Sequence, residues 1–440
     1  MVKTSNLQMN SIHRKREKNL GIFELVAIAL GGMIGGGIFT VLGISVSMIG
    51  VFTPLAFIIG GFLAFLAVYS YIKLAVYYKD EGATYSFFKR TFPNSSFLAS
   101  LIGWWVIFGY ISTLALYAYT FSSYAISGFE FANNEMIRKA VAGLIILTFT
   151  LVNIWSVKGM GKIEDIMVYT KLVILTIISF VLINNANTTI PTLLQNNGEI
   201  NILSILIVAS LTFVAFEGFQ LVINAVNEME KPEINIPKSI YIALTLAMII
   251  YFILSYGAII AIPLDDIIAN QEYALASGAD KILGHWGTDL VVMGALLATS
   301  SAISGTLFGA SRQMTVVAKD GYFPSFLTKR KNNIPIYSII TMSILAFILI
   351  LFSDLKVILE FSSVTFLLVS LLMAIANLKM YKKTSSSLII TIVAIVGLLM
   401  GMILILYYEY TAQVEQLYFI GGLYILLTLG AFGYSKTNKT

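Results

Sequence analysis

The sequence has no cysteine and only two histidines, His13 and His285, among its 440 residues. Without cysteine there is neither a disulfide framework nor a Cys-ligated zinc or iron–sulfur centre. Two distant histidines, one in a basic tail and one in a loop, argue against a His-based metal centre or catalytic triad. Charge is scarce too: Asp, Glu, Lys and Arg make up 12% of the chain, where soluble domains carry about 25%. No GxxxxGK[ST] phosphate loop occurs, so no ATP site is expected.

What is abundant is apolar side chain, 58% of all residues. Apolar runs of about 20 residues recur along the chain, each long enough to cross a hydrocarbon slab of about 30 Å. The pattern predicts an all-α integral membrane protein with twelve transmembrane helices, centred in 22–47, 52–78, 97–127, 137–156, 163–184, 201–227, 237–261, 286–318, 335–353, 356–380, 387–408 and 414–434. The basic segment before the first run is not expected to open a cleaved leader, because the run continues to about Ser47 and more spans follow.

Basic residues are dispersed over short loops rather than gathered on one face, which excludes a nucleic-acid surface and points to the lipid bilayer as partner. With twelve spans, 23 of the 28 Lys and Arg fall on the side of the termini, in clusters such as Lys79/Lys89/Arg90 and Lys379/Lys382/Lys383. The opposite side holds Arg138, Lys139, Lys281 and Lys356. That bias predicts a multi-pass protein of the cell membrane with both termini cytoplasmic. Segment 185–200 has no basic residue and falls where the alternation requires an outside loop.

Two spans are interrupted. Span 1 carries Gly31, Gly32, Gly35, Gly36 and Gly37 within seven residues, and each glycine costs a helix about 1 kcal/mol relative to alanine. The spacing also fits small-xxx-small packing, but the glycines surround the helix instead of forming one stripe, so an unwound segment is expected. Span 6 has Glu217 and Gly218 in mid-span; a carboxylate at that depth costs about 2.5–3.5 kcal/mol and seldom faces lipid. These are the first members of two consecutive sets of five spans, the arrangement expected of an inverted repeat with its site between the broken helices. Five being odd, the second set must be inverted. The N–H groups opening the outer half of span 1, near Gly35, Gly36 and Gly37, suit a carboxylate, and carbonyls ending the other half-helices suit an ammonium. An α-amino acid carries both.

Lys171, in span 5, is the one basic residue assigned to neither side, about eight residues or roughly 12 Å from the basic end of its helix, with no acidic residue three or four positions away. Snorkelling to the headgroups is one reading. The other is proton exchange by a desolvated lysine.

The run Gly31-Gly32-Met33-Ile34-Gly35-Gly36-Gly37-Ile38-Phe39, the segment Phe213 to Phe219 (FVAFEGF) and the loop Asn227 to Pro237 resemble signatures of the amino acid–polyamine–organocation (APC) superfamily, in its bacterial and archaeal amino acid permease branch. The likeness covers about residues 20–380. It implies a leucine-transporter-like five-plus-five inverted repeat (21–184 and 201–380) with helices 11 and 12 in 387–434 and a cytoplasmic tail at 1–20. It also implies alternating access around an amino acid or amine, without enzymatic chemistry or a cofactor. The expected substrate-binding residues are Gly32, Met33, Gly35, Gly36, Gly37, Val214, Ala215, Phe216 and Glu217. Glu217 departs from the family pattern, which places an apolar residue there in many relatives, and Gln220 stands where many place an acid.

The resemblance to proton-coupled members further implies that Lys171 replaces a bound sodium ion and contacts carbonyls near Gly31 and Ile34 and hydroxyls near Thr299, Ser300 and Ser301, with the proton as coupling ion. The rival readings are sodium coupling, a gradient-independent exchanger, a membrane enzyme using Glu217 and Lys171, and a sensor.

Overall fold

The computed structural model of the chain describes residues 20–155, 157–186, 188–196, 201–331 and 334–437. The basic tail before Leu20, with His13, and part of the 185–200 segment lie outside them, as do the side chains of Lys158, Lys162, Lys281 and His285.

Among the described residues every extended element is a helix and there is no β-strand. In chain order the helices are α1 (Ile22–Met33), α2 (Gly36–Ile49), α3 (Thr53–Tyr78), α4 (Ala83–Thr91), α5 (Ser96–Ile126), α6 (Glu135–Trp155), α7 (Val157–Asn184), α8 (Ile190–Asn196), α9 (Ile202–Thr212), α10 (Gln220–Asn224), α11 (Pro232–Ala261), α12 (Leu264–Ala269), α13 (Ala274–Lys319), α14 (Ile336–Phe352), α15 (Leu355–Met380), α16 (Leu388–Ala412) and α17 (Val414–Thr437). Among the described residues, ten helical stretches are long and apolar enough to cross a membrane. One of them, Gly36–Tyr78, runs through α2 and α3, which are separated by a turn at Gly50. Two further apolar helices, α1 and α14, are shorter.

Local chemistry sets several boundaries. Ser95, Asn201, Asp354 and Ser387 each accept a hydrogen bond from a backbone N–H three residues on, closing the N-termini of α5, α9, α15 and α16. Pro232 occupies the first turn of α11, after Lys231 in the left-handed region (φ 40°); proline is tolerated there because that N–H lacks a helical partner anyway. Pro237 lies further along, inside α11. Residue 285, expected in a loop, is within α13, just beyond a break at Gly284 (φ 68°).

A contiguous apolar core joins α1, α3, α5, α7, α11, α13 and α15. The outer faces are apolar as well: Ile389, Ile425, Leu426 and Leu429 are each more than 60% exposed. At about 1.5–3 kcal/mol per large aliphatic side chain left in water, such faces belong in lipid. The polar exceptions are internal. Lys171, Glu217, Gln220, Glu360 and Glu409 are all buried.

Candidate functional site

The α1–α2 junction is unwound over two residues, Ile34 (φ −84°, ψ 73°) and Gly35 (φ −112°, ψ −140°). Ending a helix inside the protein strands its last carbonyls, and here side chains from three other helices satisfy them. The Lys171 ammonium of α7 donates to Gly31 O (3.2 Å) and Ile34 O (2.5 Å). Tyr117 of α5 donates to Gly32 O (3.2 Å). The Tyr251 hydroxyl of α11 lies 2.7 Å from Met33 O. A cation at the negative end of a helix dipole is favourable, so Lys171 is an electrostatic cap as well as a donor.

Lys171 also donates to Ser301 Oγ of α13 (2.7 Å), which in turn donates to Ala298 O. Of the three hydroxyls expected near the ammonium, Ser301 is in contact, whereas Thr299 Oγ1 donates to Ala295 O of its own helix (2.7 Å) and Ser300 is half-buried. Lys171 thus links α1, α7 and α13. Its side chain is fully buried, a placement that snorkelling would not give.

The second interruption separates α9 from α10. Phe213–Phe216 form a 3₁₀ turn, Glu217 is extended (ψ 150°) and Gly218 has φ +122°, a conformation that only glycine adopts readily. The two breaks touch. A Cβ on Gly218 would stand 2.4 Å from the carbonyl carbon of Gly32, and one on Gly37 would stand 2.9 Å from Ala215 Cα. The glycines of α1 and α2 therefore serve close packing in several directions as well as unwinding: Gly35 faces Ala302 and Gly36 faces Thr120.

Tyr251 Oη also lies 2.8 Å from Ala215 O. With a single hydrogen it donates to one carbonyl at a time or is shared between both, spanning the two breaks. Phe216 is buried against the Tyr251 ring (5.1 Å) and Phe219 against Tyr71 (5.1 Å), so these phenylalanines are packed aromatics in the described arrangement.

Glu217 Oε2 accepts a bond from Gln220 Nε2, whose Oε1 accepts from Gly218 N (3.0 Å). Glu217 Oε1 has no protein donor although the residue is buried. Around it the interior is unusually polar. Tyr71, Tyr110 and Tyr117 are within electrostatic reach of the carboxylate, and Tyr71 has Thr84, Ser370 and Gln220 beside it. The hydroxyls of Tyr71, Tyr110, Thr84 and Ser370 make no hydrogen bond within the protein. Leaving such a group buried and unbonded costs about 1–3 kcal/mol, so a cluster of them around a carboxylate fits a place where a polar ligand makes the bonds.

Sequence reading missed Tyr117 and Tyr251, which hold the breaks, and Tyr71 and Tyr110, which surround Glu217. The available signal was their depth: all four lie well inside apolar spans, where an interface anchor has no reason to be. Among the described residues no cluster of three or more metal-ligating side chains occurs.

Comparison with known proteins places this architecture. The chain is 27% identical to the inner membrane transport protein YbaT of Escherichia coli, over 98% of this chain and 100% of that one. It is 25% identical to the branched-chain amino acid permease BcaP of Bacillus subtilis, over 71% and 70%. With the cationic amino acid transporter 7, chloroplastic, of Arabidopsis thaliana, it shares 24% identity over 85% and 68%. The sequence profile of the amino acid permeases matches residues 20–427; the chain is thus a member of the amino acid permease family of the APC superfamily, a multi-pass membrane transporter and not an enzyme.

Proposed function

We propose that this permease is a secondary active transporter that carries an amino acid or related amine together with a proton, by alternating access around the two broken helices. The observation that carries the reading is the Lys171 ammonium, buried and bonded at once to the carbonyl end of α1 and to Ser301 of α13. Bonds from a charged donor contribute about 1.5–3 kcal/mol, against about 0.5–1.5 kcal/mol for neutral ones. Losing the proton weakens each of three bonds by about 1 kcal/mol on that scale and removes the attraction to the α1 dipole. That is enough to shift a two-state equilibrium by more than tenfold, since each 1.4 kcal/mol is a factor of ten.

In this reading α1 and α2 form one broken span and α9 and α10 another, the first and sixth of twelve, and residues 21–184 and 201–380 are the two inverted repeats, followed by α16 and α17. The excess of Lys and Arg on the terminal side supports cytoplasmic termini in the cell membrane. The substrate carboxylate meets the N-terminus of α2 at Gly36 and Gly37, whose N-cap, Gly35, provides no side chain to compete. The α1 carbonyls are already bonded to Lys171, Tyr117 and Tyr251, so the partner for a substrate cation is Glu217 Oε1, with Val214, Ala215 and Phe216 forming the wall. An ammonium seated on Gly31 O, Ile34 O and Ser301 Oγ repels a second cation there, which favours protons over sodium.

The test is uptake by purified protein in liposomes, using a mixture of labelled amino acids under an inward proton gradient, with and without an ionophore. Proton symport requires accumulation that collapses with the ionophore. Counterflow that ignores the gradient would replace the reading with exchange, and accumulation that follows sodium alone would replace it with sodium symport.

A further inference from the structure

A second buried group of charges lies away from the broken helices, where α15 begins and α16 ends. Glu360 is in the second turn of α15 and Glu409 in the last turn of α16, two helices packed along each other. Both residues are fully buried, and none of their four carboxylate oxygens has a hydrogen-bond donor in the protein. The two carboxyl groups nevertheless stand within hydrogen-bonding reach of each other. Ionised carboxylates only accept. The group missing between them is a hydrogen.

Charge balance leads to the same place. The nearest cation, Lys356, is 3.9 Å from Glu360 Oε1 and donates instead to Tyr408 Oη (2.8 Å). It balances one carboxylate at most, leaving a second negative charge in an apolar interface at a cost of about 2.5–3.5 kcal/mol on insertion scales. The other groups bearing on the pair do not supply the deficit. Asp354 adds negative charge but is engaged as the α15 N-cap. From α17, Tyr424 is bonded to Thr365 (2.8 Å), and from α5, Ser112 is bonded to Ser362 (2.8 Å). From α3, Leu63 and Leu66 pack at Gly397 and Gly401 of α16, while Tyr69 and Lys73 meet Ser387 and Ser385 at the opposite end of that helix from Glu409; α9 (Ile202–Thr212) contains no ionisable side chain.

We infer that Glu360 and Glu409 form a proton-binding site separate from Lys171, in which one carboxylic acid donates to the neighbouring carboxylate and so fastens α16 to α15. Releasing the proton sets two like charges face to face and loosens that contact. The effect reaches the transport core through α15, because Ser363 donates to Leu211 O at the end of α9, next to the second break (3.0 Å). The site does not depend on the role given to Lys171.

Infrared difference spectroscopy of the purified protein, titrated in pH, tests this. A carboxylic-acid carbonyl component that persists above the pH at which exposed carboxyls ionise, and disappears at higher pH, is expected in the wild type and in Lys171→Ala; this component, over any from Glu217, is expected to be missing from Glu360→Gln and Glu409→Gln. The glutamine amide of Glu409→Gln supplies the missing donor permanently, so the melting temperature of this variant should vary less with pH than that of the wild type. A band unchanged in both glutamine variants would overturn the inference. So would a wild type lacking the band but stabilised by sodium, which would make the pair a metal-cation site.

Discussion

The two interruptions are made with the same backbone device and finished in opposite ways. At the end of α1, Gly31, Gly32, Met33 and Ile34 all have their carbonyls bonded by side chains of the protein. At the other break, Glu217 keeps one carboxylate oxygen without a protein partner amid hydroxyls that are likewise unbonded. Buried polar groups are normally satisfied, so the contrast separates a junction held by the protein from a surface left for something else. The proposal that the first serves coupling and the second substrate recognition rests on that difference.

The strongest way to break the comparison is to force the two breaks apart. Gly218→Ala places a Cβ into the Gly32 backbone at a φ of +122°. Backbone strain alone costs about 1–3 kcal/mol, and the overlap adds to it. Transport should be lost and the melting temperature lowered; normal uptake by this variant would mean that the contact is dispensable.

A sharper test removes charge from the open break while keeping shape. In Glu217→Gln the acceptor remains but the charge is gone, and a charge-assisted bond is worth about 1.5–3 kcal/mol, or roughly 10–100-fold in affinity. Substrate affinity measured by competition in counterflow should fall by that order, most for substrates with a cationic side chain. Unchanged affinity would remove Glu217 from the substrate's path.

The smallest effect is expected where the two breaks share a donor. Tyr251→Phe deletes one hydrogen between Met33 O and Ala215 O, worth about 0.5–1.5 kcal/mol. A transport rate changed a few-fold with little change in substrate affinity is expected in uptake kinetics, because the ring packing on Phe216 and Phe57 is retained.

How much of this was legible in the sequence depended on whether a signal was local. Apolar runs gave the helical membrane class, and clustered glycines with Glu217 and Gly218 located both interruptions, because unwinding depends on the residues that unwind. Lys171 stood out because a lone charge in an apolar span has few explanations. The short helices α4 and α12 were not legible: they are too brief to show a period and depend on packing against the bundle. The depth of Tyr117 and Tyr251 sets them apart from interface aromatics, but their roles were not legible, since a tyrosine declares its partner only when another helix brings one within about 3 Å. Thr299, Ser300 and Ser301 were read as one cluster, and only helical phase decides which hydroxyl meets Lys171.

The most direct test of the account is to compare wild-type and Lys171→Ala protein in liposomes under the same inward proton gradient, with counterflow measured in parallel. Lys171→Ala is expected to retain substrate counterflow but no longer to accumulate substrate in response to the gradient. Accumulation by the variant equal to that of the wild type would contradict it.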